Sequence, residues 1–106
     1  MVEAMPVPVM ISPEAAARVA ELGMQREFQQ MLEHMRQTVP DLCAIEVTLD
    51  EPYEMGDEPR VILEAVKRGP YVDTDRTEWN WSYWKVGTFS PDVFRHFVMA
   101  LTGDSP

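Results

Sequence analysis

The stretch CAIEVTLD, residues 43–50, decides the fold because it carries the clearest strand pattern in the chain. Apolar side chains alternate along it with mostly polar ones, so one face of the predicted strand is apolar. That face is formed by Cys43, Ile45, Val47 and Leu49. The alternation predicts a strand that covers a hydrophobic core with one face and meets water with the other.

A second strand is predicted at residues 61–66, where Val61, Leu63 and Ala65 share one face. Pro52, Gly56 and Pro59 break the chain between the two strands into a loop, and its residues 50–58 are rich in acids. It cannot hold a crossover helix, so we expect the two strands to pair antiparallel.

Helices are predicted on the N-terminal side of these strands. The run Ser12-Pro13-Glu14 supplies a capping hydroxyl, a proline for the first helical position and an acid for the first turn. Gly23 is expected either to end this helix as a left-handed cap or only to weaken it. A second apolar stripe at helical spacing runs to Pro40, which ends it. This stripe contains Phe28, Met31, Leu32, Met35 and Val39.

The N-terminal residues 1–11 contain Pro6 and Pro8 and show no period, so we expect an extended or disordered arm. At 106 residues the chain is long enough for one domain with a shallow core. We therefore expect a flexible arm over 1–11 and a single α+β domain over 12–103.

All three tryptophans lie in the stretch EWNWSYW, residues 78–84. A helix is predicted from about 76 to 86, begun by a capping box of Asp75 with Glu78 and ended near Gly87. Trp79 and Tyr83 are four residues apart and share a face, which we expect to pack on the sheet. Trp81 lies about 200° around the helix from Trp79, so these rings cannot all point inward.

Such a concentration of aromatic surface is typical of a protein interface, and it predicts partner binding by Trp79, Trp81, Tyr83 and Trp84. Within this set, we expect Trp81 or Trp84 to supply the contact. Changing both of these to serine should then leave the monomer folded and weaken association.

Two structures are compatible with residues 90–101. As a helix, the segment has Ser90 as N-cap, a proline in its first turn and an apolar stripe. As a strand, it places Phe97, Met99 and Leu101 on the core after one helical turn at 90–93.

Several short motifs in this order resemble a group of small bacterial proteins of no established activity, over roughly residues 12–101. They are Ser12-Pro13-Glu14, Glu21-Leu22-Gly23, Phe28, Met31-Leu32, Pro40, Ile45-Glu46-Val47, Glu58-Pro59-Arg60-Val61-Ile62, Asp75-Arg76, Trp79, Trp84, Pro91-Asp92-Val93 and His96-Phe97-Val98-Met99. The resemblance implies the order α-β-β-α-β with a C-terminal strand, and no chemistry. The expected fold is thus α+β, a three-stranded sheet with helices on one face.

The expected core follows from the apolar faces of these elements. It comprises Phe28, Met31, Leu32, Met35, Cys43, Ile45, Val47, Leu49, Val61, Leu63, Phe97 and Met99.

The charge and composition exclude several classes of function. A net charge of −9 disfavours direct binding of nucleic acid, whose phosphates would be repelled, and permits a basic protein partner. No apolar run approaches the ~20 residues of a membrane span, and the N-terminus carries Glu3 where a secretory signal would be basic. The lone Cys43 fits a reducing cytoplasm.

No residue pattern in the chain requires catalysis, a cofactor or a metal. Cys43 could pair with His34 or His96, but its place on an apolar strand face predicts a buried, inert thiol. The acidic loop 50–58 lacks the ligand spacing of a calcium-binding loop, and we expect it to be mobile and metal-free. The run 73–75 is explained by helix capping.

These observations favour a non-catalytic, acidic, cytoplasmic protein-binding domain. One version neutralises a basic partner as an antitoxin does, and another is a homodimer closed by the aromatic helix. The alternative is a small enzyme or small-ligand binder whose pocket lies under that helix with Asp73 and Asp75. A concave site with convergent polar groups would favour the alternative, and a flat apolar patch would favour protein binding.

Overall fold

The computed structural model describes residues 7–50, 58–72 and 76–105. Within them the chain forms four strands and four helices in an α+β arrangement. The strands are β1 (Val9–Ile11), β2 (Leu42–Asp50), β3 (Arg60–Pro70) and β4 (Phe97–Ser105). The helices are α1 (Pro13–Leu22), α2 (Gln25–Thr38), α3 (Thr77–Thr88) and α4 (Pro91–Phe94).

The strands form one mixed sheet in the order β1-β2-β3-β4. The two central strands pair antiparallel, with Ile45 opposite Ala65 and Val47 opposite Leu63. Each edge strand pairs in parallel with its neighbour, β1 with β2 and β4 with β3. Parallel neighbours need a crossover connection, which α1 and α2 supply between β1 and β2, and α3 and α4 between β3 and β4.

The strand β1 corrects the three-stranded sheet expected from the sequence. It lies in the segment expected to be an arm, and it pairs along β2 from Val9 opposite Ile45 to Ile11 opposite Val47. Backbone hydrogen bonds join the pair, with the Ile45 N–H donating to Pro8 O at 3.0 Å. Three residues are too few to show the alternation of a strand in the sequence. This strand is recognised only from its pairing with the edge of β2.

The start of α1 and the break after it confirm the expected helix signals. Ser12 is the N-cap, and its Oγ accepts a hydrogen bond from the Ala15 N–H at 3.2 Å. Gly23 ends α1 with φ of 68°, in the left-handed region that glycine adopts without a side-chain clash. Of the two roles expected for Gly23, the structure shows the left-handed cap, and α2 begins two residues later.

The C-terminal segment adopts the strand alternative. The four residues of α4 form the single helical turn expected there, and β4 follows with Phe97, Met99 and Leu101 buried. Helix α3 begins at Thr77, close to the expected start at about 76, and its N-cap is Arg76, at φ of 56°, with no side-chain cap bond. Glu78 is then one position too early for the capping box, and Asp75 lies outside the described residues.

The helices cover one face of the sheet and form a single hydrophobic cluster with it. All of the expected core residues are buried except Cys43 and Leu49, which are half-buried. Leu49 lies next to the end of β2 and still packs against the cluster. Cys43 departs from the expected face because the pairing of β2 with β3 shifts between Leu42 and Ala44, which breaks the alternation there.

Candidate functional site

The inner face of α3 is built around Trp81, whose side chain is 1% exposed. Its indole Nε1–H donates to Thr38 Oγ1 on α2 at 2.8 Å, so the one polar atom of the ring is satisfied. Three residues later, Trp84 lies parallel to His34, with 3.8 Å between ring centroids and 4° between planes. These contacts fix the rotation of α3 about its axis.

The outer face of α3 carries a row of exposed apolar side chains, which we call the outer stripe: Trp79, Tyr83 and Val86. Their exposed fractions are 53%, 66% and 57%. The rings of Trp79 and Tyr83 meet edge to face, with 5.3 Å between centroids and 71° between planes. The Arg76 guanidinium lies 5.3 Å from the centroid of the Trp79 ring, within range of a cation–π interaction.

The outer stripe borders a shallow apolar hollow on the surface of the helix. Its volume is about 220 Å³, and the stripe residues line it together with Ser82. Because ring–ring contacts already hold Trp79 and Tyr83, a partner would order few additional side-chain torsions on binding. The arrangement therefore offers an apolar contact surface.

The faces assigned to the aromatic helix from the sequence were wrong. Trp79 and Tyr83 were expected on the sheet and are exposed, whereas Trp81 or Trp84 was expected to supply an exposed contact, and Trp81 is buried. Of the four residues predicted to bind a partner, the geometry leaves Trp79 and Tyr83 accessible, and Trp84 is half-buried. Helical spacing separates the two faces but cannot show which one faces the sheet, since each contains two large rings.

A second hollow of about 220 Å³ lies between α2 and α3. It is lined by His34, Thr38, Thr77, Asn80 and Trp81. Among these lining residues, His34 is the only side chain that titrates near neutral pH. Asp73 and Asp75, which the ligand-binding alternative assigned to this region, lie outside the described residues. The stacking of His34 on Trp84 has no signal in the sequence, because the two residues are far apart in the chain.

Burial lowers the pKa of His34 below its ordinary value of 6.5. The folded chain then binds fewer protons at this site than the unfolded chain, so its stability should fall as the pH drops through about 6.5 and below. Nuclear magnetic resonance titration of the imidazole protons checks the direction. A midpoint above 6.5 would contradict it, and would mean that attraction of the imidazolium to the Trp84 ring outweighs desolvation. The variant His34→Gln should lose less stability than the natural chain between about pH 7 and about pH 5.

Lys85 connects α3 to β4 and was not singled out by sequence reasoning. Its Nζ donates to the carbonyl oxygen of Phe97 at 2.8 Å. Desolvation, followed by repulsion from Arg60, lowers the pKa of Lys85. The sequence around Lys85 gives no sign that this side chain reaches β4. The contact is visible only in the tertiary structure.

Cys43 is not the buried thiol expected from its strand position. The residue is half-buried, and its Sγ lies 3.6 Å from Asp104 Oδ2 and 3.8 Å from the Asp41 carbonyl oxygen. Neither histidine is among its hydrogen-bond partners, since His34 stacks on Trp84 and the Nδ1 of His96 lies 3.9 Å from Glu58 Oε2. The structure therefore does not assemble a thiol–imidazole pair.

The described residues contain no group of three or more histidine, cysteine, aspartate or glutamate side chains placed to hold a metal ion. Most of the acidic loop that was expected to be mobile and metal-free, residues 51–57, lies outside the described part of the chain. Within the described ranges, no helix has the length and apolar character that crossing a membrane requires. Comparison with family models, with curated proteins and with solved structures finds no match to this chain.

Proposed function

We propose that this chain is a non-catalytic domain that binds another protein through the outer stripe of α3. The observation that carries the proposal is the exposure of Trp79 and Tyr83, at 53% and 66%, on a helix whose opposite face is already anchored in the core. Large aromatic side chains are enriched at interfaces, where they supply much contact area for little loss of conformational entropy. Because Trp79 and Tyr83 are mostly exposed, these rings contribute little to the folding of the domain, and binding of a partner accounts for their presence.

The chemistry of the partner follows from charge. At a net charge of −9, the chain attracts a basic protein at long range and repels a second copy of itself. This supports the version in which the domain neutralises a basic partner, as an antitoxin does, over the homodimer. The single cysteine supports action in the reducing cytoplasm.

The small-ligand alternative has less support from the described residues. In the polar hollow between α2 and α3, the Thr38 hydroxyl already accepts the Trp81 indole N–H and donates to the His34 carbonyl oxygen at 2.8 Å. Acid–base catalysis commonly pairs groups whose pKa values are tuned to the task, and among the described residues that line this hollow His34 is the only one that titrates near neutral pH.

The double variant Trp79→Ser/Tyr83→Ser tests the proposal. It should stay folded, because both rings lie at the surface, and it should bind the partner at least about thirtyfold more weakly, as expected for the loss of anchors worth about 2 kcal/mol or more. The partner is first purified with the tagged natural chain from its host, and its affinity is then measured by calorimetry with each purified variant.

The matched control is Val72→Ser, which removes a similarly exposed apolar side chain outside α3. It should leave the affinity unchanged. An unchanged affinity in the double variant would refute the role of the outer stripe. Sedimentation of the chain alone tests the homodimer version of the proposal. A dimer that dissociates in the double variant would show that the outer stripe binds a second copy of the chain and not a basic partner.

A further inference from the structure

The face of the sheet turned away from the helices carries a patch of apolar side chains among polar ones, and we call it the open sheet face. Its residues alternate with those of the core along β2, β3 and β4. The apolar ones are half-buried: Ala44, Ile62, Val66, Val98 and Ala100. None of them belongs to the buried cluster that the helices form with the opposite face.

The pairing of β3 with β4 makes this composition unusual for a face left to solvent. The two strands are parallel, with Ile62 opposite Val98 and Glu64 opposite Ala100. In wholly parallel sheets both faces are usually covered, and the strand sequences are then continuously apolar rather than alternating. The run FVMAL at 97–101 and the run VIL at 61–63 have this character, although the described helices cover only one face.

Two carboxylates lie at the centre of the open sheet face. Glu46 of β2 and Glu64 of β3 are direct cross-strand partners, and Met10 and Ala100 extend the same row to both edges. Like charges in directly opposed positions destabilise a sheet. Among the described residues, neither glutamate forms an ion pair or hydrogen bond, so the repulsion is not relieved inside this part of the chain.

We propose that the open sheet face binds an amphipathic helix of another protein, with an arginine or lysine in the middle of its apolar stripe. The stripe would pack on the half-buried apolar side chains and cover the face that the described helices leave open. The cation would sit between Glu46 and Glu64, where it converts a repulsion into two favourable pairs.

A second copy of the chain does not fit this face. Two open sheet faces packed on each other would bring four carboxylates together, and each copy carries a net charge of −9. The open sheet face is also separate from the outer stripe, because α3 packs on the opposite side of the sheet through Trp81. The two surfaces are therefore independent and can be tested one at a time.

The probe is a labelled amphipathic peptide of about 18 residues, long enough to form a helix, with leucines along one face and a central arginine. A matched peptide carries citrulline, which is uncharged and of the same shape. Fluorescence anisotropy should show the arginine peptide binding the natural chain about tenfold more tightly than the citrulline peptide. In the variant Glu46→Gln/Glu64→Gln the two peptides should bind equally.

The control variant is Glu14→Gln/Glu33→Gln, which removes the same charge from exposed positions on α1 and α2. It should keep the preference for arginine, and so should Trp79→Ser/Tyr83→Ser. Circular dichroism shows whether each variant is folded. The proposal is overturned if the arginine peptide does not bind, if the preference survives in Glu46→Gln/Glu64→Gln, or if it disappears in either control. A dimer of the chain alone that Val98→Ser dissociates would also overturn it, in favour of self-association.

Discussion

Replacing Trp81 by alanine should cost about 3–5 kcal/mol of unfolding free energy, which is the usual range for truncating a buried tryptophan. The side chain is 1% exposed and joins α3 to the cluster that the sheet and the other helices form. Its loss leaves a large cavity and removes the hydrogen bond to Thr38. Since small domains are stable by only about 5–15 kcal/mol, this variant should be close to unfolding at room temperature.

Trp79→Ala is the matched control, because it removes the same side chain from the same helix at a position that is 53% exposed. Its cost should be below about 1 kcal/mol, from the contacts with Tyr83 and Arg76. Urea denaturation followed by far-ultraviolet circular dichroism measures both variants. Equal costs for the two would show that α3 is rotated from the orientation described.

Leu63→Ala should cost about 2–5 kcal/mol. Leu63 is 0% exposed in β3, between Val47 of β2 and Met99 of β4. Neighbours on both sides belong to ordered strands and cannot close the gap, so most of the removed volume should remain as a cavity.

The control for Leu63 is its neighbour Ile62, which lies on the open sheet face and is half-buried. Ile62→Ala should cost clearly less, because less apolar surface returns to water and no enclosed cavity forms. Chemical denaturation of the two variants compares the faces of β3 directly. A larger loss for Ile62 than for Leu63 would mean that the strand faces are inverted.

The burial of Trp81 changes how association experiments should be designed. The sequence suggested that a Trp81→Ser/Trp84→Ser variant would stay folded and lose its partner, but removing a fully buried ring destabilises the domain itself. Lost binding in that variant would report unfolding. Trp79 and Tyr83 can be changed without that ambiguity, which makes them the informative positions.

The parts of the fold that the sequence predicted are those governed by neighbouring residues. Ser12 caps α1 because its hydroxyl is three residues from the N–H that it accepts, and Gly23 ends α1 because it tolerates a positive φ. The alternation at 43–50 and 61–66 placed Ile45, Val47, Val61 and Leu63 in the core for the same reason. Each of these features is decided within a few residues of chain.

Contacts between distant segments decided the rest. The strand β1 exists because the edge of β2 offers hydrogen bonds to Val9–Ile11, a partner more than thirty positions away that no local period can reveal. The bulge near Cys43 depends on how β2 meets β3, and it moved this thiol out of the expected core.

The sequence by itself determined that a helix lies at about 76–86, observed as Thr77–Thr88, and that it carries more aromatic surface than one face can bury. The tertiary structure alone decided which rings became core and which became surface. Thr38 offers the Trp81 indole a hydrogen-bond acceptor and His34 offers Trp84 a flat ring, so α3 packs with these two inward and leaves Trp79 and Tyr83 outside. The periodicity of a helix fixes the angle between its faces, whereas its rotation against the sheet depends on partners that lie elsewhere in the chain.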